Sequence, residues 1–278
     1  TMRLGMTVSN IPFLNMNQTP RNMYQYSMAR QAMGIYNTNY RDRIDNSYIL
    51  YNTQRPLMMT RSSKYIGTHE MASGENVIVA IAPFTGYNQE DSIILNESSV
   101  KKGLFNAIYT KKYISDIEKN HSTSQDDIFI KPDINQIAGK KDINYNKLQE
   151  NGTIKPETII SNGDVIIGKI SPIAPNTNKG KKLYKDSSSV YKGSTNGIID
   201  RVMTGLTNDT GTERINVKIR IERKPVVGDK FCYTEDHEVL TLNHGWVGIS
   251  EISIHDKVAT LDENENLIYK NPIYVQKY

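Results

Sequence analysis

A chain of 278 residues is long enough for two modest domains with cores of their own. Its 37 % hydrophobic content leaves it on the polar side, and no run approaches the roughly 18 apolar residues that a membrane helix needs. A single cysteine excludes an internal disulfide framework and any cysteine-rich zinc site, and the net charge of +4 is far from that of a polycationic tail.

The first residues, TMRLGMTVSNIPF, lack the apolar core and small-residue cleavage site of a secretory signal and begin on Thr, so the chain reads as a fragment of an intracellular protein. Over 18–36, QTPRNMYQYSMARQAMGIY predicts a helix capped by Thr19, with Pro20 in its first turn. Met23, Tyr26, Met28, Met33 and Tyr36 would face a core. ENVIVAIA at 75–82 predicts a strand buried on both faces, and IILNES at 93–98 a second strand-like run. Residues 114–150 are polar and charged and read as a projecting surface module. TIISNGDVIIGKISPI predicts two short strands joined by an Asn-Gly-Asp turn. After a low-complexity loop at 175–196, GIIDRVM and RINVKIRIERK read as strands. In the latter, Ile215, Val217, Ile219 and Ile221 share one face, and Arg214, Lys218 and Arg220 the other.

Three lysine- and arginine-rich groups stand out: Lys101, Lys102, Lys111 and Lys112; Lys179, Lys181, Lys182 and Lys185; and Lys218, Arg220, Arg223, Lys224 and Lys230. The third is interleaved with apolar residues, as a phosphate-binding groove would be. Glu90 and Asp91 are adjacent carboxylates between a turn and an apolar run. On an extended backbone they would point to opposite faces, so both can reach one cation only where the loop bends.

Six blocks now come together in order: IPFLNMNQTPRNMYQYSMARQAMG, QRPLMMTRSSKY, GENVIVAIAPFTGYNQEDSIILNESSVKKGLF, NGDVIIGKISPI, STNGIIDRV and KPVVGDKF. Over 1–231 the chain resembles the second-largest, beta-type subunit of multisubunit DNA-dependent RNA polymerases of the eukaryotic, archaeal and giant-virus type. The abundance of Asn, Ile, Lys and Tyr points to an AT-rich gene and a giant-virus source, with the virion, host cytoplasm or viral factory as its location in that case and the nucleus or cytoplasm otherwise. The resemblance implies a mainly β fold with some α: a hybrid-binding region with part of a β-barrel over 1–106, a wall or flap over 107–224, and a return to the hybrid-binding region at 225–231. It implies catalytic roles for Asp91, Glu90 and Lys230. Asp91 would help hold the second Mg²⁺, shared with the largest subunit, which neutralises the triphosphate in a two-metal reaction. Arg21 and Tyr24 would lie near the incoming nucleotide, and Lys230 along the RNA–DNA hybrid. The partners implied are the largest and other polymerase subunits, template DNA, transcript and nucleoside triphosphates. No zinc is implied for this stretch, and the isolated chain is expected to be inactive.

From Cys232 the sequence resembles the N-terminal splicing block of an intein: CYTEDHEVLTLNHGWVGISEISIHDKVATLD, an all-β Hint-type pattern over 232–278. The resemblance makes Cys232 a nucleophile that attacks the Phe231 carbonyl to form a thioester. Thr241-x-x-His244 lies too early to be the later Thr-x-x-His motif of that family, and His237 and His255 read as surface or packing residues. The segment is incomplete as an intein: either a C-terminal partner chain supplies the rest, as in a split intein, or the sequence is truncated, and the residues do not choose between the two. Two alternatives remain: a split-intein precursor whose only chemistry of its own is the acyl shift at Cys232, and a non-catalytic nucleic-acid-binding module.

Overall fold

The computed structural model of the chain describes residues 5–120, 125–138, 143–173, 183–232, 238–248, 255–261 and 267–271. Lys179, Lys181, Lys182, His237 and the 249–254 run lie outside them. The regular structure among the described residues is mostly strand with three short α-helices, and among them no helix is long and apolar enough to cross a membrane. The chain divides into two compact units. Unit 1 holds 1–40, 49–107 and 224–278; unit 2 holds 41–48 and 108–223.

Unit 1 carries the helices. α1 (Thr19–Ala29) begins where expected, but Gln18 rather than Thr19 takes the cap position, and no side chain caps it. Pro20 sits in the first turn, where a missing N–H is harmless. The expected core stripe is not buried: no residue of α1 is buried, and Met23 is 57 % exposed. α2 (Arg61–Ile66) starts where the Thr60 hydroxyl accepts the Ser63 N–H and stops at Gly67, which is left-handed at φ 85°. α3 (Glu97–Lys101) is capped by the Asn96 side chain, which accepts from Ser99 N–H at 2.9 Å. The strand expected over 93–98 is absent: 93–96 is irregular and the helix follows at once. The strand expected at 75–82 is absent too: the segment runs without a ladder partner, and Ile78 is 94 % exposed. A strand is stabilised by its neighbours rather than by its own composition, and the described residues place none beside this one. The buried hydrophobic residues described in unit 1 are Leu50, Ala72 and Ala107 alone.

Unit 2 is built on one open sheet. Its strands are β1 (Ser47–Leu50), β2 (Ala107–Asp116), β7 (Ile159–Ile160), β12 (Gly197–Thr207) and β13 (Glu213–Arg223), in the order β1-β2-β13-β12-β7. Smaller ladders join β3 (Lys119–Asn120) to β4 (Gln125–Asp126), and β8 (Val165–Ile167) to β11 (Ser189–Val190). A further sheet has the order β5-β9-β10-β6, from β5 (Ile128–Phe129), β6 (Ile137–Ala138), β9 (Lys169–Pro172) and β10 (Tyr184–Asp186). No sheet among the described residues closes into a barrel. The Asn-Gly-Asp turn is present, with Gly163 at φ 90°, but it does not make a hairpin: β7 pairs with β12, and β8 with β11. Asp164 explains the departure. Its carboxylate accepts from Ser161 N–H (2.7 Å), Asn144 Nδ2 (2.8 Å) and Lys147 Nζ (2.6 Å), tying the turn to the 144–147 loop.

The alternation in β13 holds. Ile215, Val217 and Ile219 are buried in a cluster with Ile154, Ile160, Ile166, Ile167, Tyr191 and Ile199, and Ile221 packs against it. Gly193 lies beneath the Tyr191 ring, where an added Cβ would come 2.2 Å from the phenol oxygen. That oxygen donates to the Thr195 carbonyl at 2.8 Å. Unit 1 also includes a self-contained antiparallel sheet of β14 (Glu238–Thr241), β15 (Gly245–Gly248), β16 (Val258–Leu261) and β17 (Leu267–Lys270), in the order β15-β14-β16-β17.

Burial drives the Asp164 acid upward, but hydrogen bonds from Lys147, Ser161 and Asn144 outweigh it and hold the group below the ordinary carboxylate range. Its folded-state pKa therefore lies below the unfolded one, so the stability it lends is present at neutral pH and is lost as pH falls through the acid range. Asp164→Asn should lower stability at pH 7 by roughly 1–3 kcal/mol and shrink the difference between pH 7 and pH 3. Urea unfolding at the two pH values reads this, and an undiminished pH dependence in the variant would count against it.

Candidate functional site

The predicted site residues all fall within unit 1. Arg21 and Tyr24 are three positions apart on α1, which puts them on the same face one turn apart. Both are exposed, Tyr24 at 60 %. No acidic residue stands in that first turn, so the positive end of the helix dipole and the guanidinium act in the same sense toward an anion.

Glu90 and Asp91 sit on a loop that does bend. The Asn88 amide clamps it, donating to the Ala82 carbonyl at 2.7 Å and accepting the Phe84 N–H at 3.1 Å. Ser92 N–H closes a turn on the Gln89 carbonyl at 3.0 Å, and Glu90 is left-handed at φ 54°. A non-glycine residue there is strained. Both carboxylates are exposed and have no hydrogen-bond or ion-pair partner among the described residues. They are hard oxygen donors of the kind Mg²⁺ takes. No cluster of three or more metal-binding side chains occurs among the described residues, so the pair by itself is two donors and not a complete cage.

Lys230 follows a tight turn. The Asp229 N–H donates to the Val226 carbonyl at 3.1 Å, Gly228 takes φ 101°, and the Asp229 carboxylate accepts the Val226 N–H at 3.0 Å. This is the geometry in which glycine belongs at the third position. It presents Lys230 exposed, while Phe231 packs on Phe105 with ring centroids 4.7 Å apart. Cys232 is a free, exposed thiol. The structure thus gathers these groups in one unit without joining Arg21, Asp91 and Lys230 by any described hydrogen bond or ion pair.

The third basic group does not form the expected phosphate groove. Lys218 is buried with its Nζ 3.4 Å from Asp200, and Arg220 is held by both Glu157 and Asp200. Arg214, across the same strand, makes a two-pronged bond to Asp116 at 2.6 and 2.8 Å. These cations are neutralised inside the sheet; Lys224 and Lys230 remain exposed. An open cleft of about 320 Å³ in unit 2 is lined by Asp127, Phe129, Asn151, Thr153 and Glu213 among others, and by none of the predicted site residues. Thr241 and His244 have a structural use: the Thr241 hydroxyl donates to the Gly245 carbonyl at 3.0 Å and accepts the His244 N–H at 3.2 Å, closing the β14–β15 hairpin.

Glu75 was invisible as a site residue from sequence. Its carboxylate accepts the Phe105 N–H from both oxygens, at 3.2 and 3.3 Å, across 30 positions of chain, a contact no local pattern announces.

What the site defines is a β-rich module presenting cations and an unpaired acidic turn. Residues 7–236 match the family described as RNA polymerase Rpb2, domain 6, and the chain belongs to that family. It is 51 % identical over 231 residues to "DNA-directed RNA polymerase subunit 2" of Acanthamoeba polyphaga mimivirus, covering 83 % of this chain and 19 % of the relative. It is 43 % identical over 234 residues to the RNA polymerase II subunit RPB2 of Encephalitozoon cuniculi, covering 82 % and 20 %. With subunit Rpo2 of Saccharolobus solfataricus the identity is 38 % over 239 residues, covering 82 % and 21 %. The chain therefore spans about a fifth of the length of the curated relatives it matches.

Burial raises the Glu75 acid, outweighing the Phe105 N–H bond that lowers it. A folded-state pKa above the unfolded one favours the fold most at low pH, and that contribution is lost as pH rises through the folded value. Glu75→Gln keeps a carbonyl acceptor for Phe105 and removes the titration. It should melt higher than the parent at pH 7 and gain little at pH 4; a lower melting temperature at pH 7 would contradict this.

Proposed function

We propose that residues 1–231 are a piece of the second-largest subunit of a DNA-directed RNA polymerase, contributing to its active centre and to RNA–DNA hybrid binding within the assembled enzyme. The observation that carries this reading is the family match over 7–236, joined to a unit that leaves Glu90, Asp91, Arg21 and Lys230 exposed. In it, Asp91 with Glu90 holds the edge of a Mg²⁺ shared with the largest subunit, an ion that would neutralise triphosphate charge. Arg21 pairs with nucleotide phosphate oxygens, Tyr24 packs beside them, and Lys230 contacts the hybrid backbone. The largest and other subunits, template DNA, transcript and nucleoside triphosphates are the partners, and nucleotidyl transfer belongs to the complex. The exposed Ile78, Phe84 and Tyr87 support a unit that is covered in an assembly. The identity to the mimivirus relative supports a giant-virus source, with the virion or viral factory as location.

The test is kinetic. In the assembled polymerase, Asp91→Ala should weaken the response to Mg²⁺ by roughly ten- to a hundredfold in nucleotide addition at limiting metal. Lys230→Ala should make transcript retention fall at lower salt. An unchanged Mg²⁺ dependence and an unchanged salt profile would remove both roles.

A second reading applies to the junction. The family match ends at residue 236, and the strands described beyond it form a sheet among themselves. The match still includes residues 232–236, so it is the self-contained sheet that supports residues 232–278 as the first part of an intein, with Cys232 as nucleophile. Added thiol should release a fragment ending at Phe231 from the full-length precursor, and Cys232→Ala should release none. Equal release from both proteins would mean ordinary proteolysis.

A further inference from the structure

We infer that Phe105 is a positioning residue for the acyl side of the Phe231–Cys232 bond, an inference that rests on the splicing reading above. The Phe231 ring meets the Phe105 ring at 4.7 Å between centroids with the planes at 51°, an arrangement in which one ring's positive edge approaches the other's negative face. Phe105 is itself held. Its backbone is left-handed at φ 56°, and its N–H is gripped by the Glu75 carboxylate. The turn before it is closed by Asn106 N–H on the Gly103 carbonyl at 3.1 Å, and that carbonyl also accepts from Asn52 Nδ2 at 3.3 Å. The Asn106 carbonyl in turn accepts the Tyr51 N–H at 2.9 Å. On the other side of the bond, the Cys232 Sγ lies 3.5 Å from Met28 Sδ, 204 positions away. Among the described contacts, the residues flanking the amide both touch polymerase-family sequence, Phe231 at Phe105 and Cys232 at Met28.

The reaction is an isomerisation and needs no co-reactant. Cys232 Sγ gives up its proton and adds to the Phe231 carbonyl carbon. The C–N bond then breaks, the Cys232 nitrogen takes up the proton, and a thioester remains. Attack requires the carbonyl to stay within reach and in one orientation. Few torsions separate the Phe231 ring from its carbonyl, so pinning the ring narrows the range of both. The acyl shift is in this way linked to folding of the 75–106 segment: a precursor whose host segment has not folded lacks the clamp.

The full-length precursor is treated with excess thiol, and the release of the fragment ending at Phe231 is timed by mass spectrometry. Phe105→Ala should slow release roughly three- to tenfold, the range expected from losing an aromatic pair, and Phe105→Tyr should restore it. In a Phe231→Ala background the Phe105→Ala effect should vanish, since the ring contact is already gone. Phe105→Leu carries the same comparison if the alanine variant unfolds, as judged by its thermal melt. An unslowed Phe105→Ala, or equal slowing in both backgrounds, overturns the inference and leaves the splicing reading intact. A parent precursor that releases nothing overturns the splicing reading and the inference with it.

Discussion

The pairing of β12 with β13 is the interaction on which unit 2 depends. Both strands are 11 residues long and run antiparallel from Ile198 opposite Arg220 to Thr207 opposite Glu213. Their turn is held by the Asn208 side chain, which accepts from Thr210 and Thr212. The register decides which residues face inward, because a slip of one position would put Ile215, Val217 and Ile219 in water and the cations in the core. With the register held, one face nucleates the apolar cluster while Lys218 and Arg220 find Asp200 and Glu157 on the other. Short strands such as β7 and β8, too brief to stand alone, lean on that cluster.

Unit 1 follows the opposite economy. It is held largely by caps, turns and backbone bonds: Thr60 and Asn96 start its helices, Asn88 clamps its acidic loop, and Glu75 grips Phe105. Few of its described apolar residues are buried, and the rest are half-buried or exposed. A surface held by polar clamps and left unpacked can present carboxylates and cations at strained turns, because those turns need not serve a core. Exposed chemistry and uncovered apolar area have the same origin in this unit.

The two longest strands of unit 2, the alternation of β13 and the turn at Asn162–Asp164 were legible in the sequence, since period-two patterning and turn chemistry act over a few residues. The acidic pair and Lys230 were legible through motifs rather than physics. The errors share one cause. The 75–82 run, the α1 stripe and the third basic group were each assigned a partner from local composition: a sheet, a core and a phosphate. The first two have no such partner among the described residues, and Lys218 and Arg220 of the third found carboxylates instead. Side-chain type says what a residue can pair with, whereas only the fold says what stands opposite.

By itself the sequence determined the class of structure, the strand faces of unit 2, the residues able to bear charge or act as nucleophile, and the resemblance that the family match sustains. Only the tertiary structure decided that Arg214, Lys218 and Arg220 are neutralised, that Glu90 and Asp91 stand exposed on a bent loop with no partner among the described residues, and that Phe105 meets Phe231. Those outcomes turn on contacts between residues tens to hundreds of positions apart. Their energies depend on distance and burial, and neither is written in local spacing.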